Sequence, residues 1–199
     1  MSVLLSGARN FAVRLAALSN AVGTAVLFIL VAVMNVDVVA RGVFHAPFRG
    51  VVEVVIFSLV LIVFLQLPNV AEGNRLTRSD GFLMLMRSRN PAIAGLMSRL
   101  IDLIACIFMA MIAWTMWPEF VEAFESCHFF SQPEFGPPPT GNIWTDLKDG
   151  FARCDYFGTP GILTAPWWPA KLAIFFGVLL SAILFAFKTL LGPKPAAPR

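Results

Sequence analysis

Charge is scarce in this sequence. Only 14 % of its 199 residues are charged, whereas 58 % are hydrophobic, and the mean hydropathy is +0.76. Soluble domains carry about 25 % charged residues, so the balance excludes an ordinary soluble fold and points to one membrane domain without a soluble module. Histidine is scarcer still. His45 and His128 both fall between the apolar runs, and a haem-carrying membrane bundle needs axial ligands inside its helices, which excludes that class. The three cysteines, Cys106, Cys127 and Cys154, form no C-x-x-C pair, the reactive arrangement that a thiol–quinone oxidoreductase needs. Acids are missing from the middle of every apolar run. Asp37, Glu53, Asp102 and Glu119 stand at run ends, where a charge costs little. A dyad of Asp37 and Glu53 is geometrically possible, but no nucleophile or metal ligand stands beside it. The chain has no internal repeat, and a lone carrier is expected to show paired, interrupted helices.

What is present is a set of four apolar runs. Leu15 to Val36, Val54 to Ala71, Leu103 to Pro118 and Leu172 to Phe187 each lack any charged residue. A helix needs about 20 apolar residues to cross a hydrocarbon core of about 30 Å. The first two runs meet that outright, and the last two reach it with flanking turns whose charges snorkel to the interface. The fold class read from this is an all-α membrane protein of four transmembrane helices, over about 15–40, 52–71, 100–118 and 167–190, in one membrane domain covering 1–199. The first run is too long for a secretory signal and has no A-x-A site before Asn35-Val36-Asp37, so it is read as an uncleaved span.

Basic and acidic residues are sorted between the two sides. Arg9 and Arg14 precede the first span, Arg75, Arg78, Arg87, Arg89 and Arg99 lie between the second and third, and Lys188, Lys194 and Arg199 follow the fourth. Between the third and fourth, Glu119, Glu122, Glu125, Glu134, Asp146, Asp149 and Asp155 outnumber Lys148 and Arg153. The positive-inside rule then puts both termini in the cytoplasm, although Arg41 and Arg49 fall on the outside. The net charge of +3 is topogenic on this reading, with no nucleic-acid partner implied.

The stretch from Arg41 to Gly50 is a tight link that makes the first two helices an antiparallel hairpin, and Glu53 suits the positive end of the second helix. Residues 81–99 combine Phe82-Leu83-Met84-Leu85-Met86 with Arg87 and Arg89. That stretch is read as an additional interfacial amphipathic helix touching anionic lipid, against an ordinary loop with a buried apolar turn. Trp114, Trp117, Trp167 and Trp168 fall together on the predicted outer side, as an interfacial girdle does. The long outer loop, 119–166, is rich in proline and glycine and is not one regular element. Cys106 is read as a small apolar packing residue. Cys127 and Cys154 share the loop and are either bridged, as an oxidising periplasm allows, or two free thiols. Gln66, Ser58 and Asn35 are read as helix-contact hydrogen bonders.

Asn35-Val36-Asp37-Val38-Val39-Ala40-Arg41-Gly42-Val43-Phe44, followed by Pro47, Gly50 and Glu53, resembles the first hairpin of the small membrane subunit (DctQ type) of TRAP, or tripartite ATP-independent periplasmic, transporters. The order that follows is also similar: a polar turn at 73–80, an amphipathic helix, the third span and an aromatic–proline entry to the fourth. The resemblance covers about residues 10–120 and 160–191. The turn at 73–80 holds arginines where the family often has a His before its Asp, and the outer loop is longer than in compact members. The resemblance implies Asn35, Asp37, Arg41, Phe44 and Glu53 as partner-interface residues. It also implies a large membrane subunit and a periplasmic solute-binding protein as partners, besides membrane lipid. No cofactor is expected on this chain, and sodium belongs to the large subunit. The location implied is the bacterial inner membrane. The chain would then be a small permease subunit, not an enzyme, serving uptake of an organic, carboxylate-type solute. A four-helix membrane enzyme or redox protein with an unrecognised site is the alternative.

Overall fold

A computed structural model describes residues 2–45, 50–73, 91–127, 142–154, 156–159 and 163–191. Each apolar run lies within one helix: α1 is Ser2–Phe44, α2 Val51–Glu72 and α3 Pro91–Glu125. After α3 come a short helix, α4 (Ile143–Arg153), a hairpin of β1 (Tyr156–Thr159) and β2 (Leu163–Pro166), and the last long helix, α5 (Trp168–Leu191). The protein is an all-α membrane protein, with four helices long and apolar enough to span a bilayer.

Two of these helices run well past the predicted spans. α1 has 43 residues and α3 has 35, about 64 and 52 Å at 1.5 Å per residue, against about 30 Å of hydrocarbon. A charge ends an apolar run without ending a helix. Arg9 and Arg14 are carried on α1, and Glu119, Glu122 and Glu125 on α3. Pro91 opens α3 at the first helical position, where a proline lacks no useful donor. The helix predicted at 81–99 falls only partly on described residues. Its described part, Pro91–Arg99, forms the first turns of α3, and residues 81–90 lie outside the described residues. Pro118 does not end α3 either, since one proline removes a single ladder bond.

Between α1 and α2, His45 and Gly50 take left-handed backbone conformations, with φ of 51° and 88°. Gly50 does so without a Cβ penalty, and its carbonyl receives Val54 N–H at 3.2 Å to start α2. β1 and β2 pair antiparallel, Tyr156 opposite Pro166 and Thr159 opposite Leu163.

The long helices are arranged around α5, which packs against α3, α2 and α1, while α1 also packs along α2. Among the described residues α3 makes no comparable contact with α1 or α2. The α3–α5 pair is antiparallel from end to end. Phe124 stacks edge-on against Trp168 at 5.9 Å, Trp117 meets Phe175 at 5.1 Å, and Cys106 Sγ donates to the Ala182 carbonyl at 3.5 Å. On the other side Ala12 and Ala16 of α1 bury against Leu180 and Leu184 of α5.

The α2–α5 contact is set by a proline and a glycine on different helices. Pro68 lies inside α2, where its missing N–H leaves the Phe64 carbonyl without its helical donor. Gly177 of α5 lies against that carbonyl, so closely that a Cβ there would stand 2.1 Å from the oxygen. Small residues let transmembrane backbones approach in this way, and a Cα–H group can face the freed carbonyl. Gly23 plays a similar part between α1 and α2, where a Cβ would meet Gln66 Cγ at 2.9 Å.

Candidate partner-binding surfaces

The predicted hairpin residues divide between structure and surface. Asp37 is buried, 5 % exposed, one turn before Arg41. Arg41 Nε donates to Asp37 Oδ2 at 2.7 Å, an i, i+4 pair that compensates the buried carboxylate. Asn35 turns outward and returns its side-chain amide to the Val31 carbonyl at 2.7 Å. That bond satisfies it within its own helix, so the structure does not use it for a helix contact. Phe44 is 71 % exposed. Asn35, Val36, Val39, Ala40 and Phe44 line an open, almost wholly apolar groove of about 360 Å³ on α1. Glu53 is half-buried in the first turn of α2. Asn35 and Phe44 thus share one outward groove, whereas Asp37 is held inward by Arg41.

A second groove, about 540 Å³, runs between α3 and α5. Ala110, Ala113, Trp114, Trp117, Phe175 and Leu179 are among its lining residues. Trp114 is 83 % exposed and stands open to whatever covers α3. Lys171 bridges the two helices above this groove, its Nζ 2.9 Å from Glu119 Oε2 and 3.1 Å from the Glu119 carbonyl.

The stretch between α3 and α5 carries more structure than its proline and glycine content suggests. Cys127, two residues beyond α3, and Cys154, directly after α4, are joined by a disulfide across 27 residues, and both are buried. The bridge anchors the end of α4 at the top of α3, and the β-hairpin then leads directly into Trp167 and α5. The opposite end of α4 is open, with Ile143 82 % and Trp144 83 % exposed and Leu147 beside them on the same helical face. Sequence reasoning missed this helix. Its signal was the spacing of Ile143, Leu147 and Phe151 against Asp146, Lys148 and Asp149.

Asp102 departs from its expected place. The sequence places it at a run end, where a charge costs little because it can reach water. It is 1 % exposed, while the neighbouring Arg99 is exposed. Gly177, Pro68 and Lys188 were not singled out by sequence reasoning, because each gains its role only against a neighbouring helix. Among the described residues no three of His, Cys, Asp and Glu gather as metal ligands would. What the arrangement offers a partner is open, largely apolar surface.

A family model described as tripartite ATP-independent periplasmic transporters, DctQ component, matches residues 30–140. Neither a curated protein nor a solved structure matches the chain. The matched stretch is more than half of the chain and takes in the α1 groove, all of α2 and α3, and Cys127. With four membrane-length helices around it, that match makes this chain a member of the DctQ family, the small multi-pass membrane component of TRAP transporters.

Proposed function

We propose that this subunit braces the large, sodium-coupled subunit of its transporter and helps the periplasmic binding protein dock, for uptake of an organic, carboxylate-type solute. The family match across the first hairpin and the third span carries the reading. The architecture supports it, because the grooves on the described residues are open and apolar, suited to a protein or lipid neighbour. The α1 groove at Asn35 and Phe44 and the exposed α3 face at Trp114 are the surfaces offered to the large subunit. Both termini are assigned to the cytoplasm and the stretch between α3 and α5 to the periplasm. The bridged Cys127 and Cys154 support that assignment, since structural disulfides persist in oxidising compartments.

The lobe made by α4 and the hairpin is the docking element. Its exposed Ile143 and Trp144 are the residue types that supply binding energy at interfaces. Its acids face a basic patch on the binding protein, chiefly assisting encounter and orientation. Co-purification tests the partnership: the tagged subunit should bring a many-span permease out of native membranes. Deleting residues 128–150 should then weaken binding-protein-dependent uptake while leaving that membrane complex assembled. Uptake unchanged by the deletion refutes the docking role.

A further inference from the structure

The groove between α3 and α5, about 540 Å³, is a slot that follows only part of the two helices. Ala113 and Ala182, both buried, form its floor, and Trp114, Trp117 and Phe175 stand around it. Its inner end, at Ala110 and Ala182, lies near the middle of α3 and of α5, and its other end is Pro118. From Ala110 to Pro118 is about 12 Å at 1.5 Å per residue. One leaflet of a hydrocarbon core of about 30 Å is about 15 Å deep. The slot therefore spans a single leaflet, from the midplane to the end of the helices nearest the lobe.

Opposite charges meet at that end. Glu119 follows Pro118 directly, and Lys171 lies one turn before Phe175. Lys171 Nζ is 2.9 Å from Glu119 Oε2 and 3.1 Å from the Glu119 carbonyl, and the Glu119 side chain is 52 % exposed. A second interhelix pair, Arg9 of α1 with Glu72 of α2 at 3.4 Å, is by contrast mostly buried, its side chains 13 % and 15 % exposed. An exposed pair adds little to stability, so bracing α3 against α5 is a poor account of Glu119 and Lys171. What they provide is a cation and an anion side by side, where the apolar slot meets the headgroup layer. An ammonium carries three donors, of which the contacts with Glu119 occupy two, and a carboxylate accepts several hydrogen bonds.

We propose that the slot holds one zwitterionic phospholipid of the leaflet nearest the lobe. An acyl chain lies along the alanine floor, the phosphate accepts from Lys171, and the ammonium of an ethanolamine head donates to Glu119. Bilayer tails are as apolar as the slot, so the chain gains little by entering it. Selection therefore rests on the head, where charge-assisted hydrogen bonds are the strong ones. A glycerol head, which lacks the ammonium, leaves a net negative lipid facing the Glu119 carboxylate. Trp114 separates the slot from the face of α3 that carries Ile107, Met111 and Thr115. The lipid thus leaves that face to the large subunit, and its binding does not depend on the transporter reading.

The test is native mass spectrometry of the purified full chain, delipidated in detergent and then offered phosphatidylethanolamine or phosphatidylglycerol. The parent should retain one phosphatidylethanolamine per chain, about tenfold more tightly than phosphatidylglycerol. Lys171→Ala removes the donor to the phosphate and should weaken retention about tenfold, as loss of one charge-assisted hydrogen bond does. Its thermal midpoint should hardly move. Leu179→Trp fills the slot from an exposed position on α5 and should abolish retention of either lipid. Should that variant fail to fold, Lys171→Ala decides alone. Equal retention of the two lipids by the parent, or retention unchanged in Lys171→Ala, marks adventitious lipid and overturns the proposal. So does an isolated subunit that retains no phospholipid, since a slot covered only in the presence of the large subunit is a protein contact.

Discussion

α1 and α5 are equally apolar and are used in opposite ways. Over its most apolar stretch each has a mean hydropathy of 2.3, yet half of that stretch is buried in α5 and only 17 % in α1. Hydropathy measures transfer out of water, and lipid satisfies an apolar side chain as well as a protein neighbour does. Packing follows a different variable, the smallness of the residues in contact. α5 meets its neighbours through Gly177, Ser181 and Ala182, and Ser181 returns its hydroxyl to the Gly177 carbonyl at 2.7 Å. α1 has such a stripe at Ala12, Ala16, Ser19 and Gly23, while Phe11, Phe28 and Ile29 project outward.

The largest effect that can break this contrast is Gly177→Leu. It forces a side chain into the Phe64 carbonyl and should cost more than about 3 kcal/mol as overpacking. Gly42→Leu on α1, with open space around its Cα, should leave the thermal midpoint unmoved. Equal behaviour of the two variants would end the argument that α5 is the packing helix.

Next in size is Cys127→Ser with Cys154→Ser, which frees a 27-residue loop and should cost the lobe about 3 kcal/mol. Proteolysis should cut the stretch between α3 and α5 faster while the four long helices stay resistant. Leu184→Ala, at a site with no exposure, should cost about 2 kcal/mol through its cavity. Leu18→Ala on α1, 63 % exposed, should change the midpoint little in the isolated subunit. If Leu18→Ala lowers the midpoint only once the large subunit is bound, that face of α1 is the one the partner covers. The smallest effect belongs to Lys171→Ala. Glu119 is about half exposed, so solvent screening should hold the loss below about 0.5 kcal/mol.

The sequence already displayed the four spans, because gaps between charged residues are a direct measure of what can sit in hydrocarbon. Asp37 and Arg41 both stood out in the first hairpin, but their pairing was not read there, although the two lie only one turn apart. The reach of α1 and α3 was hidden, since Arg9, Arg14 and Glu119 mark where lipid ends and carry no instruction to stop a helix. Asp102 was misplaced for a related reason. A charge at the edge of an apolar run reads as exposed until the helix packed beside it is known, and α5, the helix packed on α3, comes much later in the chain. Pro68 and Gly177 each look like a local defect when read alone. Their meaning is joint, and nothing local in the sequence links them.

The arrangement around α5 has a consequence for biogenesis. α1 and α2 can zip together as soon as both have left the ribosome, through Gly23 and the Arg9–Glu72 pair. Among the described residues α3 has no such companion, because its substantial contacts are with α5, and α5 follows it in the chain. During synthesis α3 must therefore wait in the bilayer until the helix that gathers all the others has been made.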